Sequence, residues 1–224
     1  MDKERFVREG FGRIARRYDL ANALLSFGLD RLWRKRTVLA LGRRQLVLDL
    51  CAGTLALSAE YRRRFGPVVY ALDFSLPMLR VGLRKGVDGI RVICGNALEL
   101  PFRDETFWGV MMAFGLRNLV DIRKGLGEMY RVLKSGGKAV ILEFGMPKNP
   151  LFAPLYRLYL SRFLPAIGRL LTGDPVAYRY LYDSIMAFPS KEEVLRQMRE
   201  VGFCEPSARD LTLGVCVLYE GWKP

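Results

Sequence analysis

Each of the first two apolar runs that predict strands contains one acidic residue. Asp49 lies in the run 46–52, Asp73 lies in the run 68–75, and the two acids are 24 residues apart. The first run enters a turn of small residues at 52–54, which lets backbone N–H groups approach a ligand. An acid about 20 residues beyond such a turn can accept hydrogen bonds from both hydroxyls of a ribose. The spacing predicts a nucleoside cofactor here; the alternative is a plain βαβ unit without a ligand.

Polar residues also follow the third and fourth apolar runs. Asn96 ends the run 90–97, where it could contact an adenine edge or belong to an ordinary loop. Arg117 and Asn118 come just after the run 107–115. Ligands of open α/β sheets bind beyond the carboxyl ends of the strands, so we expect these two side chains to face the crevice. The alternative is that they form a structural cap.

The elements that must position these residues alternate between strand and helix. The strands are predicted at 46–52, 68–75, 90–97, 107–115, 138–145 and within 211–223. The helices between them are predicted at 55–65, 76–86, 122–134 and 190–201. Such alternation predicts a mostly parallel sheet with helices on both faces. We expect Ser135-Gly136-Gly137 to close the helix 122–134 and Ser190 to cap the helix 190–201.

Two further regions depart from the alternation. The sequence predicts helix over residues 3–44, with a break at 26–30. Residues 151–171 are rich in Leu, Phe and Tyr and are interrupted by Arg157, Arg162 and Arg169, which predicts a helical insertion. We therefore predict one domain over 1–224. Its parts are a helical lid (1–44), a cofactor-binding core (45–147), a helical insertion (148–188) and a C-terminal helix with strands (189–224).

Composition restricts the chemistry. The formal net charge is +13, and residues 1–46 alone hold 12 basic and 5 acidic side chains, which favours an anionic partner. The chain has no histidine, so the commonest general base and transition-metal ligand is missing. The four cysteines form no CxxC pair, and we expect Cys51 and Cys94 to be buried thiols. Basic residues are scattered and no nucleic-acid-binding motif occurs, so we expect no nucleic-acid partner.

Several longer motifs carry a resemblance to a known family. They include VLDLCAGT, LDFSLPML, GNALELPF, AFGLRN, MYRVLKSGGKAVILEF and the segment YRYLYDSI. Over nearly its whole length the chain resembles the UbiE/MenG family, the C-methyltransferases of ubiquinone and menaquinone biosynthesis. The resemblance implies a class I methyltransferase fold, with a Rossmann-like sheet of seven strands, mostly parallel with an antiparallel last strand. It implies S-adenosyl-L-methionine (SAM) as cofactor, S-adenosyl-L-homocysteine as product and a polyprenylated quinol as substrate.

The resemblance also implies roles for individual residues. The cofactor-binding positions are Asp49, Gly53, Thr54, Asp73, Phe74, Asn96, Ala97 and Ala113. The lid positions are Tyr18, Asp19 and Asn22, and the quinol site is expected to include Arg117, Asn118, Tyr178 and Tyr182. Arginine stays protonated in proteins, so Arg117 is expected to stabilise a phenolate or orient a proton-accepting water rather than act as the base. No metal is required.

Two positions depart from the family pattern. The family usually continues the first turn with Gly-Asp, whereas this chain has Leu55 and Ala56. A left-handed Leu55 would cost on the order of 1–2 kcal/mol and would place a side chain near the cofactor. Ala56 also replaces an acid near a helix N-terminus, whose favourable charge is typically about 0.3–1 kcal/mol. Together the two changes are expected to weaken SAM binding roughly tenfold to a hundredfold. The alternatives are a non-catalytic homologue acting as a subunit of a quinone-synthesis complex, or a methyltransferase of another lipophilic acceptor.

The charge and the apolar insertion suggest where the chain works. The N-terminus lacks an apolar signal core and no run of about 18 apolar residues occurs, so we expect a cytoplasmic protein without a transmembrane helix. Basic residues around the insertion suit peripheral contact with the anionic inner face of the cell membrane. Alternatively, 151–171 is a homodimer interface or a wall of the pocket.

Overall fold

A seven-stranded sheet forms the centre of the computed structural model, which describes residues 3–167 and 175–224. Its strands are β1 (Val47–Leu50), β2 (Val69–Asp73), β3 (Ile90–Cys94), β4 (Phe107–Ala113), β5 (Leu133–Phe144), β6 (Cys204–Leu211) and β7 (Cys216–Trp222). The strand order is β3-β2-β1-β4-β5-β7-β6. Strand β7 runs antiparallel to both β5 and β6, and the other pairs are parallel. The predicted fold class is confirmed.

Helices cover the sheet on both faces. They are α1 (Lys3–Ile14), α2 (Tyr18–Leu25), α3 (Leu29–Leu41), α4 (Ala56–Phe65), α5 (Leu76–Leu83), α6 (Ile122–Val132), α7 (Phe152–Leu158), α8 (Pro175–Met186) and α9 (Lys191–Glu200). A five-residue π-helical segment, Tyr159–Phe163, follows α7. The predicted lid region contains the first three helices, and Gly28, at φ 76°, is the N-cap of the third. Arg169, predicted in the insertion, lies outside the described residues.

Burial explains why the central strands read as continuous apolar runs. All four residues of β1 are buried, and one apolar cluster forms on each side of the sheet. The Ser190 hydroxyl accepts a hydrogen bond from the Glu193 N–H at 3.1 Å, which confirms the predicted cap. Because the chain order reverses on either side of β1, the crevice opens between β1 and β4.

The predicted glycine cap after α6 is wrong. The helix ends at Val132, and the strand β5 begins at the next residue and includes the Ser-Gly-Gly segment. The Gly136 N–H donates to the Lys223 carbonyl at 2.8 Å, and the Lys223 N–H donates to the Gly137 carbonyl at 2.9 Å. The glycines extend the strand pairing to the end of the chain instead of ending the helix.

Edge strands account for the other differences. The individual strand β6, CEPSARDL, was not predicted because it is polar and largely exposed at one edge of the sheet. Cys94 lies at the end of β3, the opposite edge, and its expected burial is wrong because that strand has a neighbour on one side only. Cys51 is partly buried, and burial raises the pKa of its thiol well above the ordinary range.

Candidate active site

The turns after β1 and β4 approach each other at the crevice. Cys51 (φ 57°) and Phe114 (φ 61°) both adopt left-handed conformations that non-glycine residues rarely take. A Cβ on Gly115 would lie 2.6 Å from the Cys51 Cβ, so only glycine permits this approach. Strained residues concentrate at ligand sites, and here they line the opening between the two strands.

The smaller of two adjoining cavities lies over these turns and contains about 700 Å³ free of protein atoms. Its lining includes six of the predicted cofactor residues, namely Gly53, Asp73, Phe74, Asn96, Ala97 and Ala113. The Asp73 carboxylate accepts hydrogen bonds from the Gly53 N–H at 2.9 Å and the Ser75 N–H at 2.8 Å. Burial raises the pKa of Asp73, and these two N–H groups oppose that rise. They hold the carboxylate in place at the end of β2.

Two predicted cofactor residues lie outside the lining of either adjoining cavity. Asp49 is fully buried beneath the turn and accepts a hydrogen bond from the Ser58 hydroxyl at 2.5 Å. Burial raises its pKa to about 7, with Ser58 opposing the rise and the Asp73 charge adding to it. The Thr54 hydroxyl is buried and donates to the Asp19 carboxylate at 2.5 Å, so it faces the lid.

Leu55 takes the expected left-handed conformation, at φ 64° and ψ 20°. Its side chain is buried with Ala52, Ala71 and Leu79 and lies outside the lining of both cavities. The expected intrusion of this side chain into the cofactor site is therefore wrong: the leucine points away from the crevice, into the layer beneath α5.

The larger cavity is predominantly apolar and contains about 1080 Å³ free of protein atoms. Arg117 lies in its wall, and the guanidinium donates to the Glu143 carboxylate at 2.7 Å and to the Phe114 carbonyl at 2.7 Å. The guanidinium Nε also donates to the Ser184 hydroxyl at 3.3 Å. Glu143 is completely buried. The buried ion pair fixes a cation at the polar end of an apolar cavity.

The neighbouring side chains divide between the two cavities. Asn118 lines the smaller cavity, and its Oδ1 accepts a hydrogen bond from the Tyr180 hydroxyl at 3.1 Å. Tyr178 and Tyr180 line the larger cavity. Tyr182 lines neither cavity and packs against the apolar core, so the structure does not bring it to the predicted quinol site.

The N-terminal helices form the outer wall of both cavities. Tyr18 lines both, and Asn22 lines the larger one. Asp19 reaches neither: its carboxylate joins Thr54 and the Lys85 ammonium, which lies 2.6 Å from it. The Lys3 ammonium donates to the carbonyl oxygens of Arg117 at 3.1 Å and Leu119 at 2.8 Å. The lid is thus attached near its start, on α1, and again at the beginning of α2.

Sequence reasoning missed Glu143 and Tyr180. Glu143 is the one acid within the apolar run 138–145, and a lone carboxylate in a buried strand predicts a buried cationic partner. Tyr180 lies between the two predicted tyrosines of α8, and no local signal distinguishes it from them.

The smaller cavity suits a nucleoside cofactor. A fixed, buried carboxylate at the end of β2 can accept hydrogen bonds from both ribose hydroxyls. Residues 95–98 line the same cavity, beside an apolar space. Solved structures with the same fold include a SAM-dependent methyltransferase of Thermotoga maritima. It has a TM-score of 0.71 at 20% identity, and the alignment covers 96% of this chain and 99% of that one.

Another is phosphoethanolamine N-methyltransferase 2 of Haemonchus contortus, whose structure contains SAM. Its TM-score is 0.63 at 18% identity, over 84% of this chain and 52% of that one. The sheet, its strand order and its switch point define the fold of the class I SAM-dependent methyltransferases.

The family follows from the sequence comparison. Residues 1–223 match the ubiE/COQ5 methyltransferase family, and the chain belongs to it. The demethylmenaquinone methyltransferase of Corynebacterium urealyticum is 46% identical over 98% of this chain and 95% of its own. That of Streptomyces avermitilis is 44% identical over 97% and 94%. The expected cofactor and enzyme class are confirmed, and these relatives do not favour a non-catalytic subunit.

Two structural findings bear on other ligands. In the ranges 3–167 and 175–224, no group of three His, Cys, Asp or Glu side chains is arranged to hold a metal ion. No helix within those ranges is long and apolar enough to cross a membrane.

Proposed function

We propose that the chain methylates a ring carbon of a polyprenylated 1,4-naphthohydroquinone, in menaquinone biosynthesis. The observation that carries the proposal is that the two cavities share a wall, made by Val7, Phe11, Tyr18 and Phe114. One cavity suits a nucleoside, and the other is large, apolar and ends at a fixed cation. The choice of naphthalene over benzene ring rests on the demethylmenaquinone methyltransferases, which are 40–46% identical to this chain.

In this proposal the smaller cavity holds the cofactor. Asp73 accepts hydrogen bonds from the ribose hydroxyls, while Asn96 and Ala97 lie beside the adenine. Bound SAM supplies an electrophilic methyl group. The chain contributes position: the shared wall brings the reacting ring next to the cofactor site, and holding two reactants in line lowers the entropic part of the barrier.

Arg117 is assigned to the developing negative charge. A hydroquinone ring carbon becomes strongly nucleophilic when the neighbouring hydroxyl loses its proton. A guanidinium remains charged, so Arg117 stabilises the phenolate oxygen and orients the water that takes the proton. Glu143 keeps the guanidinium in place through the 2.7 Å contact. Asn118, Tyr178 and Tyr180 are placed to position the ring and its oxygens.

Methylation in a living host tests the proposal. A host lacking its own quinone methyltransferase should accumulate the unmethylated quinone and should regain the methylated product when it carries this chain. Mass spectrometry of extracted quinones measures both species. A chain bearing Asp73→Ala serves as the control. Accumulation of the unmethylated quinone with a folded wild-type chain would contradict the proposal.

We also propose that the chain works in the cytoplasm, in peripheral contact with an anionic membrane surface. Phe27, Leu151 and Leu155 are 81%, 83% and 64% exposed. The Phe27 ring contacts that of Tyr159 at 6.2 Å, and the Tyr159 hydroxyl donates to the Leu25 carbonyl at 2.5 Å, which joins the α2–α3 turn to the insertion. Tyr159 also lines the larger cavity, so the exposed Phe27 adjoins the wall of the space proposed for the prenyl tail.

Charge supports a lipid partner for this surface. The segment 151–163 contains Arg157 and Arg162, both exposed, and no acid. Basic residues near an anionic bilayer contribute about 1 kcal/mol each. Sedimentation with phosphatidylglycerol vesicles should pull down the wild type, and Phe27→Ser with Leu155→Ser should reduce the bound fraction severalfold. Leu83→Ser, at a leucine that is 54% exposed on α5, is the control. Loss of a homodimer in the double variant, without a change in vesicle binding, would favour the dimer-interface alternative.

A further inference from the structure

A second ion pair lies in the wall of the larger cavity, on helix α3. Asp30 and Arg34 are one turn apart, both line the cavity, and their side chains are 11% and 10% exposed. The Arg34 guanidinium donates to one Asp30 oxygen, and the Ser26 hydroxyl donates to the other at 3.1 Å. Both carboxylate oxygens are therefore occupied, and the acid holds the arginine in position.

Arg34 keeps donors to spare. A guanidinium has five N–H donors, and within 3–167 and 175–224 the Arg34 guanidinium makes one hydrogen bond, to Asp30. The Arg117 guanidinium, over the same ranges, makes three. A buried guanidinium with free donors facing a cavity favours a ligand that brings an oxygen acceptor to it.

The two arginines approach the same pair of aromatic rings. The Arg34 Cζ lies 5.6 Å from the centroid of Phe114, and the Arg117 Cζ lies 5.2 Å from that of Phe144. The two rings are stacked, with centroids 4.5 Å apart. The wall of a predominantly apolar cavity thus presents two fixed cations beside one pair of stacked rings, on two different elements of the fold.

We propose that Arg34 donates a hydrogen bond to the second oxygen of the hydroquinone, the one across the ring from the oxygen assigned to Arg117. The inference rests on the proposed function. A ring held at both oxygens has one orientation in its plane, which directs a single carbon towards the cofactor site. Asp30 acts as the positioning residue for Arg34, and Arg34 makes the site specific for a 1,4-dihydroxy ring over a ring with one hydroxyl.

Two ring substrates test this assignment. One is a short-chain prenyl-1,4-dihydroxynaphthalene, and the other is the same molecule with hydrogen in place of the hydroxyl across the ring from the reactive one. The wild type should prefer the dihydroxy ring by at least about tenfold in kcat/KM, because a site that pairs with a hydroxyl rejects the analogue lacking it. Arg34→Gln should reduce this preference to about twofold, and Arg34→Lys should restore part of it.

Controls separate the outcomes. Arg36→Gln, at an exposed arginine of the same helix, should keep the wild-type preference. The SAM dissociation constant, measured by calorimetry, should change less than twofold in Arg34→Gln and Arg34→Lys, which also shows that each variant is folded. An unchanged preference in Arg34→Gln overturns the inference. Weakened SAM binding with an unchanged preference would assign Arg34 to the cofactor carboxylate instead. A wild type that methylates neither ring would contradict the proposed function itself.

Discussion

Leu55 packs directly against Gly82. A Cβ on Gly82 would lie 2.4 Å from the Leu55 Cγ and 2.9 Å from its Cδ1. The absence of a side chain at Gly82 therefore provides the space that the Leu55 side chain fills, 3% exposed, beneath helix α5. This pairing explains how a leucine occupies a left-handed position of the cofactor turn without reaching the cavity.

Leu55→Gly should destabilise the fold without improving the cofactor site. Loss of a buried leucine costs about 3 kcal/mol, and relief of the left-handed strain returns about 1 kcal/mol, so we expect a net loss of about 2 kcal/mol. The SAM dissociation constant should stay within about twofold of wild type. Urea unfolding and calorimetry measure the two quantities.

The companion variant for this pair is Gly82→Ala, which overpacks the same site and should cost about 1–3 kcal/mol. Combining it with Leu55→Ala should cost less than the sum of the single changes, since the two residues share one space. Tenfold tighter SAM binding in Leu55→Gly would instead mean that the leucine obstructs the cofactor.

Arg117 and Glu143 should behave as a unit. Arg117→Ala leaves a buried carboxylate without its partner, so we expect a loss of about 3–5 kcal/mol of folding free energy together with loss of turnover. The double variant Arg117→Met with Glu143→Gln should recover most of the stability and remain inactive, while SAM affinity is preserved in both. Thermal unfolding measures the stability, calorimetry the SAM affinity and a methylation assay the turnover. Turnover in the stable double variant would remove the catalytic role of Arg117.

The buried Asp49 should make stability depend on pH. Its folded pKa of about 7 lies above the ordinary 3.8, so between these values the native state holds a proton that the unfolded chain has lost. Stability therefore falls as pH rises through this window, by on the order of 4 kcal/mol for this group. Asp49→Asn removes that contribution.

The measurement is urea unfolding of both proteins from pH 4 to pH 8. The advantage of the wild type over Asp49→Asn should shrink steadily across the series. Asp88→Asn, at an exposed carboxylate, controls for the loss of one acid. Parallel stability curves for the wild type and Asp49→Asn would show that the buried acid titrates equally in both states.

The contact between Asp19 and the cofactor turn should hold the lid closed. Asp19→Asn weakens the contacts to Thr54 and Lys85. Because the ion pair is partly exposed, we expect the closed position of the lid to lose about 1 kcal/mol of stability. SAM should dissociate about fivefold faster, as measured by stopped-flow fluorescence. Asp183→Asn, in the exposed pair with Arg179, should leave the rate unchanged. An unchanged rate in Asp19→Asn would show that this contact does not gate the cofactor.

Local pattern was sufficient for the fold and for much of the candidate cofactor site. The strand runs, the turn at 52–54 and Asp73 all depend on short stretches of chain, and the structure places Asp73, Asn96 and Ala97 together in one cavity. The single-domain division and the residue roles stay predictions. The direction of Leu55 could not be predicted, because it depends on the space at Gly82 in another helix.

The larger cavity shows the same limit. Its charged lining residues come from α1, α3 and the turn after β4, and the Arg117 of that turn is paired with Glu143 on β5, far along the chain. Arg117 was found because it follows a strand. Glu143 acquires its meaning only when the fold brings Arg117 to it, whereas Asp30 and Arg34 are one helical turn apart and only their position in the cavity wall depends on the fold. The edge strand β6 was missed because pairing with β7, not hydrophobicity, defines it.

The central claim is that the chain moves a methyl group from the smaller cavity to a hydroquinone ring in the larger one. Anaerobic incubation of the purified protein with deuteromethyl-labelled SAM and a reduced short-chain prenyl-1,4-naphthohydroquinone, followed by mass spectrometry, tests it directly. The labelled methyl should appear on the ring carbon. A parallel incubation with the oxidised quinone in place of the hydroquinone should give no labelled ring. Label on an oxygen, or an unlabelled ring despite measured SAM binding, would contradict the account.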